Sequence, residues 1–402
     1  MAQISPFSSF RFHNYRLYFF GQAISLLGTW IQRTATSWLV YRITNSAFML
    51  GIITFAFLIP IMILSPYGGA ISDNYNKYKI LLITQVLSML QAGVLAFVVL
   101  TGHYNIATIA TLSVCLGIIN AFDTPARQSL VIYLIDDPGY LANAIALNSS
   151  MLNFARLIGP AIAGIIINHF SEGICFLINF ISFIAVISTL LLIRVPIMPN
   201  DKASRNTFRT MVEGYKYLIS NRDILIIVIF VSLMSLFVAP FITMLPVLAR
   251  ETFKGGAGLF SLLSSFDGLG ALSIAIYLSM VKSTERLLNI MIIFGVVLSI
   301  SLLFIAYSQW LPLTLTFIYL SGAGLMSLIS ITNTYIQLHS SGKYRASMIS
   351  YYVIATQGVL PIGSLIVGII THHLGLANLF VLQSLFGIIF VFLFYLYNKK
   401  LL

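Results

Sequence analysis

Twelve runs of mostly apolar residues, parted by short polar segments, fill the chain between Tyr15 and Tyr397. A helix of about 20 such residues, rising about 1.5 Å per residue, crosses the roughly 30 Å hydrocarbon core of a bilayer. The runs read as 16–40, 47–71, 79–101, 105–125, 141–169, 173–195, 223–249, 258–281, 286–307, 310–336, 347–371 and 376–397. With 59% hydrophobic and only 8% charged residues, the chain lacks the polar surface that a soluble domain of this size shows to water. The expectation is an all-α polytopic membrane protein of twelve transmembrane helices.

The net charge of +11 would suit nucleic acid, but the charges sit in the wrong places for it. If the chain starts on the cytoplasmic side, seventeen Lys and Arg fall in inner segments, and only Arg42, Arg250 and Lys254 in outer loops. Arg33 and Arg156 lie within spans. That asymmetry orients the chain with both termini in the cytoplasm, and it draws the inner face toward anionic lipid. No basic run is interleaved with aromatics, so no nucleic-acid partner is expected. Cys115 and Cys175 have neither metal nor redox spacing. No cofactor and no metal are expected. The first fifteen residues lack an apolar core followed by a small-residue cleavage site, so no removable signal is expected.

Three regions follow: a six-helix bundle over 1–195, a cytoplasmic linker over 196–222 and a second six-helix bundle over 223–402. In the linker, Phe208, Met211, Val212, Tyr215, Leu218 and Ile219 recur at helical spacing. The pattern suits a short amphipathic helix on the membrane surface; a solvated linker is the alternative. Ile158-Gly159-Pro160-Ala161-Ile162-Ala163-Gly164 overlays Ile362-Gly363-Ser364-Leu365-Ile366-Val367-Gly368 at an offset of 204 residues, and His169 meets His373. With six spans on each side of the linker, the match supports two pseudo-symmetric bundles.

Between the second and third spans stands Gly68-Gly69-Ala70-Ile71-Ser72-Asp73-Asn74-Tyr75-Asn76-Lys77-Tyr78-Lys79. With twelve spans and a mid-chain loop, this resembles the major facilitator superfamily, although Asn74 stands where an arginine usually follows the aspartate. Lys77 and Lys79 are the cations left to serve Asp73, an anion at the unfavourable C-terminal end of a helix. Asn120-Ala121-Phe122-Asp123-Thr124-Pro125-Ala126-Arg127-Gln128, Leu141 to Ser149, Ala155 to Gly164 and Gly28 to Ala35 are similar to the branch that includes enterobactin exporters and macrolide efflux proteins. The resemblance implies the two-bundle fold with alternating access. The Gly-Pro element of the fifth span is similar to one used in proton-driven antiporters and implies export.

Asp267 is the acid placed inside a span, about 13 Å from the membrane surface at about 1.5 Å per residue. An ionised group there costs about 2.5–3.5 kcal/mol, so such a residue faces a cavity or a partner. Three roles are open: proton coupling, a structural ion pair, or a substrate contact. In the superfamily the fifth and eighth helices pack together, which makes Arg156 a candidate partner for Asp267; reaching Asp123 is its alternative. Asn153 shares the face of Arg156 at a spacing of three. Arg33 stands beside a polar stripe of Gln22, Ser25, Thr29, Gln32 and Thr36, where it could take an anionic substrate or hold a carbonyl. On the tenth span Asn333 accompanies Ser327, Ser330, Thr334 and Gln337, a stripe that suits either packing or ligand contact.

Phe237, Phe241 and Met244 on the seventh span, with Tyr351, Tyr352 and Gln357 on the eleventh, are candidates for an apolar cargo pocket. Asp123 and Arg127 flank Pro125; four residues apart, they could pair within a helix, but the proline favours ending one helix there. With Lys343 and Arg345 they read as a gating charge cluster. His169, His372 and His373 read as solvated loop ends, with a metal or pH role as the alternative.

No nucleophile–base pair or phosphate-cradling loop occurs, so no enzyme is expected. The expected function is a secondary active transporter, monomeric and resident in a bacterial cytoplasmic membrane. It would export a small amphipathic molecule, siderophore-like or drug-like, by proton antiport. A lipid or lysolipid flippase of the same fold is the alternative.

Overall fold

The computed structural model describes residues 7–193, 207–281, 284–341 and 344–398. Those residues are helical almost throughout, with no strand among them. Eleven of their helices are long and apolar enough to cross a membrane. The expected first span is α1 (His13–Thr44), the longest helix at 32 residues. Its interior Gln22, Ser25, Gln32 and Arg33 make it more polar than the other spans. The remaining helices of the first half are α2 (Ala47–Asn74), α3 (Lys77–Leu100), α4 (Ile106–Leu130), α5 (Leu141–His169) and α6 (Glu172–Leu192). The expected end of the fourth span at Pro125 is corrected, because α4 runs unbroken through the proline to Leu130. Pro125 has no N–H for the Ala121 carbonyl, four residues back. Gly68 of α2 packs directly on that carbonyl, where a methyl group would collide with its oxygen.

The second half contains α7 (Thr207–Ser220), α8 (Arg222–Phe237), a 3-10 turn over Ala239–Met244, α9 (Leu245–Val247) and a π turn over Leu248–Thr252. Then come α10 (Ala257–Ser279), α11 (Thr284–Tyr307), α12 (Leu311–His339), α13 (Arg345–Val353), a π turn over Ile354–Gly358, α14 (Leu360–Leu374) and α15 (Leu376–Asn398). The chain forms two compact units, one of Met1–Ile43 with Ala56–Lys202, the other of Thr44–Phe55 with Ala203–Leu402. The first turns of α2 belong to the second unit because Gly51 seats on the Ser364 carbonyl and on Gly368 of α14.

In the first unit, several polar side chains buried among apolar helices pair with one another across helices, where water is not at hand. The Gln32 amide donates to Gln91 Oε1 at 3.0 Å, and Asn179 donates to Gln32 Oε1 at 2.8 Å. Gln91 donates onward to the Leu112 carbonyl at 3.2 Å. This ties α1, α3, α4 and α6 together. At one end of the unit Arg42 meets Glu172 at 2.7 Å, joining the end of α1 to the start of α6. At the other end the fully buried Ser9 binds Asn143 Oδ1 through its N–H at 3.0 Å and its hydroxyl at 2.7 Å. Arg11 donates to the Tyr140 hydroxyl at 2.8 Å.

The second unit repeats the proline device. Pro240 cannot donate to the Leu236 carbonyl, and Gly363 of α14 packs on it. The Phe241 N–H turns to Val238, which frees the Phe237 carbonyl. Gln383 of α15, 2% exposed, donates to Phe237 O at 2.9 Å and to Val238 O at 3.3 Å. Gln383→Leu is expected to cost about 1–3 kcal/mol, since it strands a buried carbonyl. Thermal unfolding in detergent measures it, and an unchanged midpoint would rule out the brace.

Candidate functional site

Two arginines of the first unit approach each other. Trp30 on α1 packs where a side chain at Gly159 of α5 would stand, so the two helices touch one turn from both arginines. Arg33 is exposed and lies over the Trp30 ring, with Cζ 5.2 Å from its centroid. The half-buried Arg156 is near enough for the two charges to repel. Lying over the ring orients the planar Arg33 guanidinium while leaving its edge donors available. On the same face of α5, Asn153 donates to the Ser149 carbonyl at 3.0 Å.

Gln32 and Thr36 behave differently from Arg33. Gln32, a candidate cargo contact by its place in the polar stripe, is 3% exposed, and its amide nitrogen and oxygen are used by Gln91 and Asn179. Thr36 turns its hydroxyl back to the Gln32 carbonyl at 2.9 Å. The polar stripe of α1 thus divides: one edge serves the bundle interior, and Arg33 faces outward from it.

In the second unit Asp267 is 3% exposed on α10. Gly322 of α12 lies against its backbone so closely that an added methyl would strike the Asp267 carbonyl. That contact fixes where the acid stands. On α12, Asn333 is half-buried and accepts from the Gln337 amide at 3.0 Å.

The expected apolar pocket is not assembled. Phe241 and Met244 have no exposed surface, because the break at Pro240 turns both into the core. Phe237 packs on Phe386 and Phe390 of α15, with centroids 5.1 and 5.9 Å away. Tyr351 lies beside Tyr215 of α7 at 6.4 Å, and Tyr352 is buried with its hydroxyl on the Ile329 carbonyl at 3.0 Å. Gln357 is exposed in the π turn of 354–358, where the widened helix re-aims its side chain.

The charged residues of the loop between α2 and α3 and of the expected gating cluster lie as follows. The buried Lys77 holds its ammonium 5.4 Å from the Tyr133 ring centroid, and the N–H of the exposed Lys79 is capped by Asn76 at 3.1 Å. Asp73 closes α2, but its side chain lies outside the described set, as does Lys343 entirely. Arg345 opens α13 and is exposed. Asp123 and Arg127 do pair within α4, correcting the expectation that Pro125 would separate them. Asp123, 2% exposed, also accepts from Thr84 Oγ1 at 2.9 Å and from Gln85 Nε2 at 2.7 Å. Sequence reasoning missed Thr84, Gln85, Gln91, Asn179, Glu172 and Gln383. Each is a polar residue, or one of an adjacent polar pair, in or at the edge of an apolar run, and that is the available signal.

Eleven long apolar helices among the described residues, with ionisable groups held within the helices, define a multi-pass helical membrane protein. The chain belongs to the major facilitator family described as transmembrane secretion effectors, which matches residues 4–401. It is 28% identical over 391 residues to a staphyloferrin A transporter of Staphylococcus aureus, covering 96% of both chains. It is 21% identical over 251 residues to macrolide efflux protein A of Streptococcus pyogenes, covering 61% of this chain and 62% of that one. Among solved structures, the nucleoside transporter NupG superposes with a TM-score of 0.78 over 96% of this chain and 99% of its own. At 12% identity that likeness speaks for the fold alone.

Proposed function

We propose that this protein exports a small amphipathic anion, siderophore-like or drug-like, by proton antiport and alternating access. It works as a monomer in a bacterial cytoplasmic membrane with both termini inside. The observation that carries the cargo's charge is the contact of Trp30 with Gly159, which sets Arg33 and Arg156 one turn away from it on adjoining helices. Two like charges on adjoining helices gain most when an anion settles between them, and guanidinium forks suit carboxylate or phenolate oxygens. Similarity to a staphyloferrin A transporter and to macrolide efflux proteins supports the outward direction. The buried Asp267 is the group suited to carry the proton.

The test begins with small molecules secreted by cells with and without the protein, under iron limitation and in plenty. An anionic compound missing from the medium, and retained in the cells, is expected. Loss of neutral or cationic compounds alone would overturn the anion assignment, and identical media would overturn export. In proteoliposomes loaded with that compound, Arg33→Gln is expected to raise KM about tenfold or more, as loss of a charge-assisted hydrogen bond does. An uncharged ester of the same compound should show little change.

A further inference from the structure

One face of α7 is docked and the other is not. Leu218 is buried with Ile224, Met348 and Tyr352, and Gly214 packs against Ser347. Tyr217 stacks on Tyr344 with centroids 4.6 Å apart, and its hydroxyl accepts the Ser341 N–H at 3.1 Å. That hydrogen bond favours the phenolate and holds the Tyr217 pKa below the usual tyrosine range. The opposite face carries Val212, Tyr215 and Ile219, spaced by three and four, which remain 39%, 54% and 49% exposed. Lys216 is exposed beside them.

What covers this row follows from its neighbours. α7 ends at Ser220, and α8 begins at Arg222 as the start of a membrane-crossing segment. A helix joined to a span by a single residue stands at the membrane boundary. There an apolar row with a tyrosine in it meets acyl chains and headgroups, and a flanking lysine snorkels to phosphate. The positive charge of the segments on this side, with Arg205, Arg209 and Arg222 flanking Lys216 in the sequence, selects an anionic surface over a zwitterionic one.

We infer that α7 is a lipid-reading helix: its Val212–Tyr215–Ile219 row inserts into the inner leaflet and Lys216 takes an anionic phospholipid headgroup. Because its docked face grips the turn between α12 and α13, the bound lipid holds that turn at the membrane surface.

Nitroxide labels at Val212→Cys, Lys216→Cys and Ile219→Cys, in a Cys115→Ser background, read the insertion. Cys175 is buried out of the reagent's reach. In nanodiscs of phosphatidylethanolamine with phosphatidylglycerol, the labels at 212 and 219 are expected to meet oxygen more than a water-soluble nickel chelate, with the label at 216 between the two. Replacing phosphatidylglycerol by phosphatidylcholine, or adding Lys216→Glu to the 212 and 219 labels, should lower the inserted-to-exposed ratio about fivefold, the weight of one lysine at an anionic surface. Equal nickel access at 212 and 219 in every bilayer would mean that the face meets water or a soluble partner, and would overturn the inference. Insertion indifferent to phosphatidylglycerol would overturn the anionic assignment. Lys216 is exposed, so an unchanged elution profile for Lys216→Glu separates lipid loss from misfolding.

Discussion

Asp123→Ala is expected to lower stability by about 3–5 kcal/mol, the cost of removing one member of a buried ion pair. The carboxylate gathers donors from two helices: Thr84 and Gln85 on α3, and Arg127 one turn along α4. Alanine would strand all three, and Arg127 has little water to turn to, since its side chain is 24% exposed. Asp123→Asn keeps an acceptor for Thr84 and Gln85 and should cost about half as much. Pairing it with Arg127→Gln should recover part of that loss, because a neutral pair leaves no buried charge behind. Thermal unfolding in detergent, followed by loss of the monodisperse peak, gives all three values. Equal losses for the alanine and asparagine variants would show that the cluster is not what holds α3 to α4.

The second large effect belongs to Asp267. Asp267→Asn should abolish export driven by a pH gradient in proteoliposomes while cargo binding stays measurable. Asparagine nearly matches aspartate in volume, so the Gly322 contact and the packing of α10 on α12 should survive. What disappears is the exchangeable proton. Asp267→Glu keeps the proton but moves the carboxyl by a methylene in a buried site, so partial export is expected. Undiminished gradient-driven export in the asparagine variant would remove Asp267 from the coupling step. Export lost together with cargo binding would instead assign it to the binding site.

Much of the architecture could be read from the apolar runs, since length and hydropathy alone mark eleven helices as spans. The first helix could be read only by its length and by its place in the order of runs. Its polar stripe, which hides it from a hydropathy measure, is the same stripe that places Gln32 in the bundle interior. Pro125 misled because a proline in isolation argues for a helix end; α4 continues through it, with Gly68, 57 residues earlier, packed on the carbonyl the proline frees. The buried polar pairs resisted reading for the same reason. Gln32 finds partners 59 and 147 residues away, and Gln383 reaches 146 residues back. A single chain says that a lone glutamine in an apolar run needs a partner, but not which one. Phe237 and Phe241 look alike in sequence, and only the break at Pro240 turns Phe241 fully into the core.

The two proline-freed carbonyls, of Ala121 and Leu236, are each roofed by a glycine, so backbone meets backbone there, with the Pro240 ring close beside Gly363. Helices that meet backbone to backbone can rotate or slide a little with few rotamers to unpack, since little projects at the contact to catch. At Gly68 and Gly363 even alanine would push the partner helix away from Ala121 or Leu236. A change that elsewhere in a membrane helix is the mildest available would there wedge open a bearing surface.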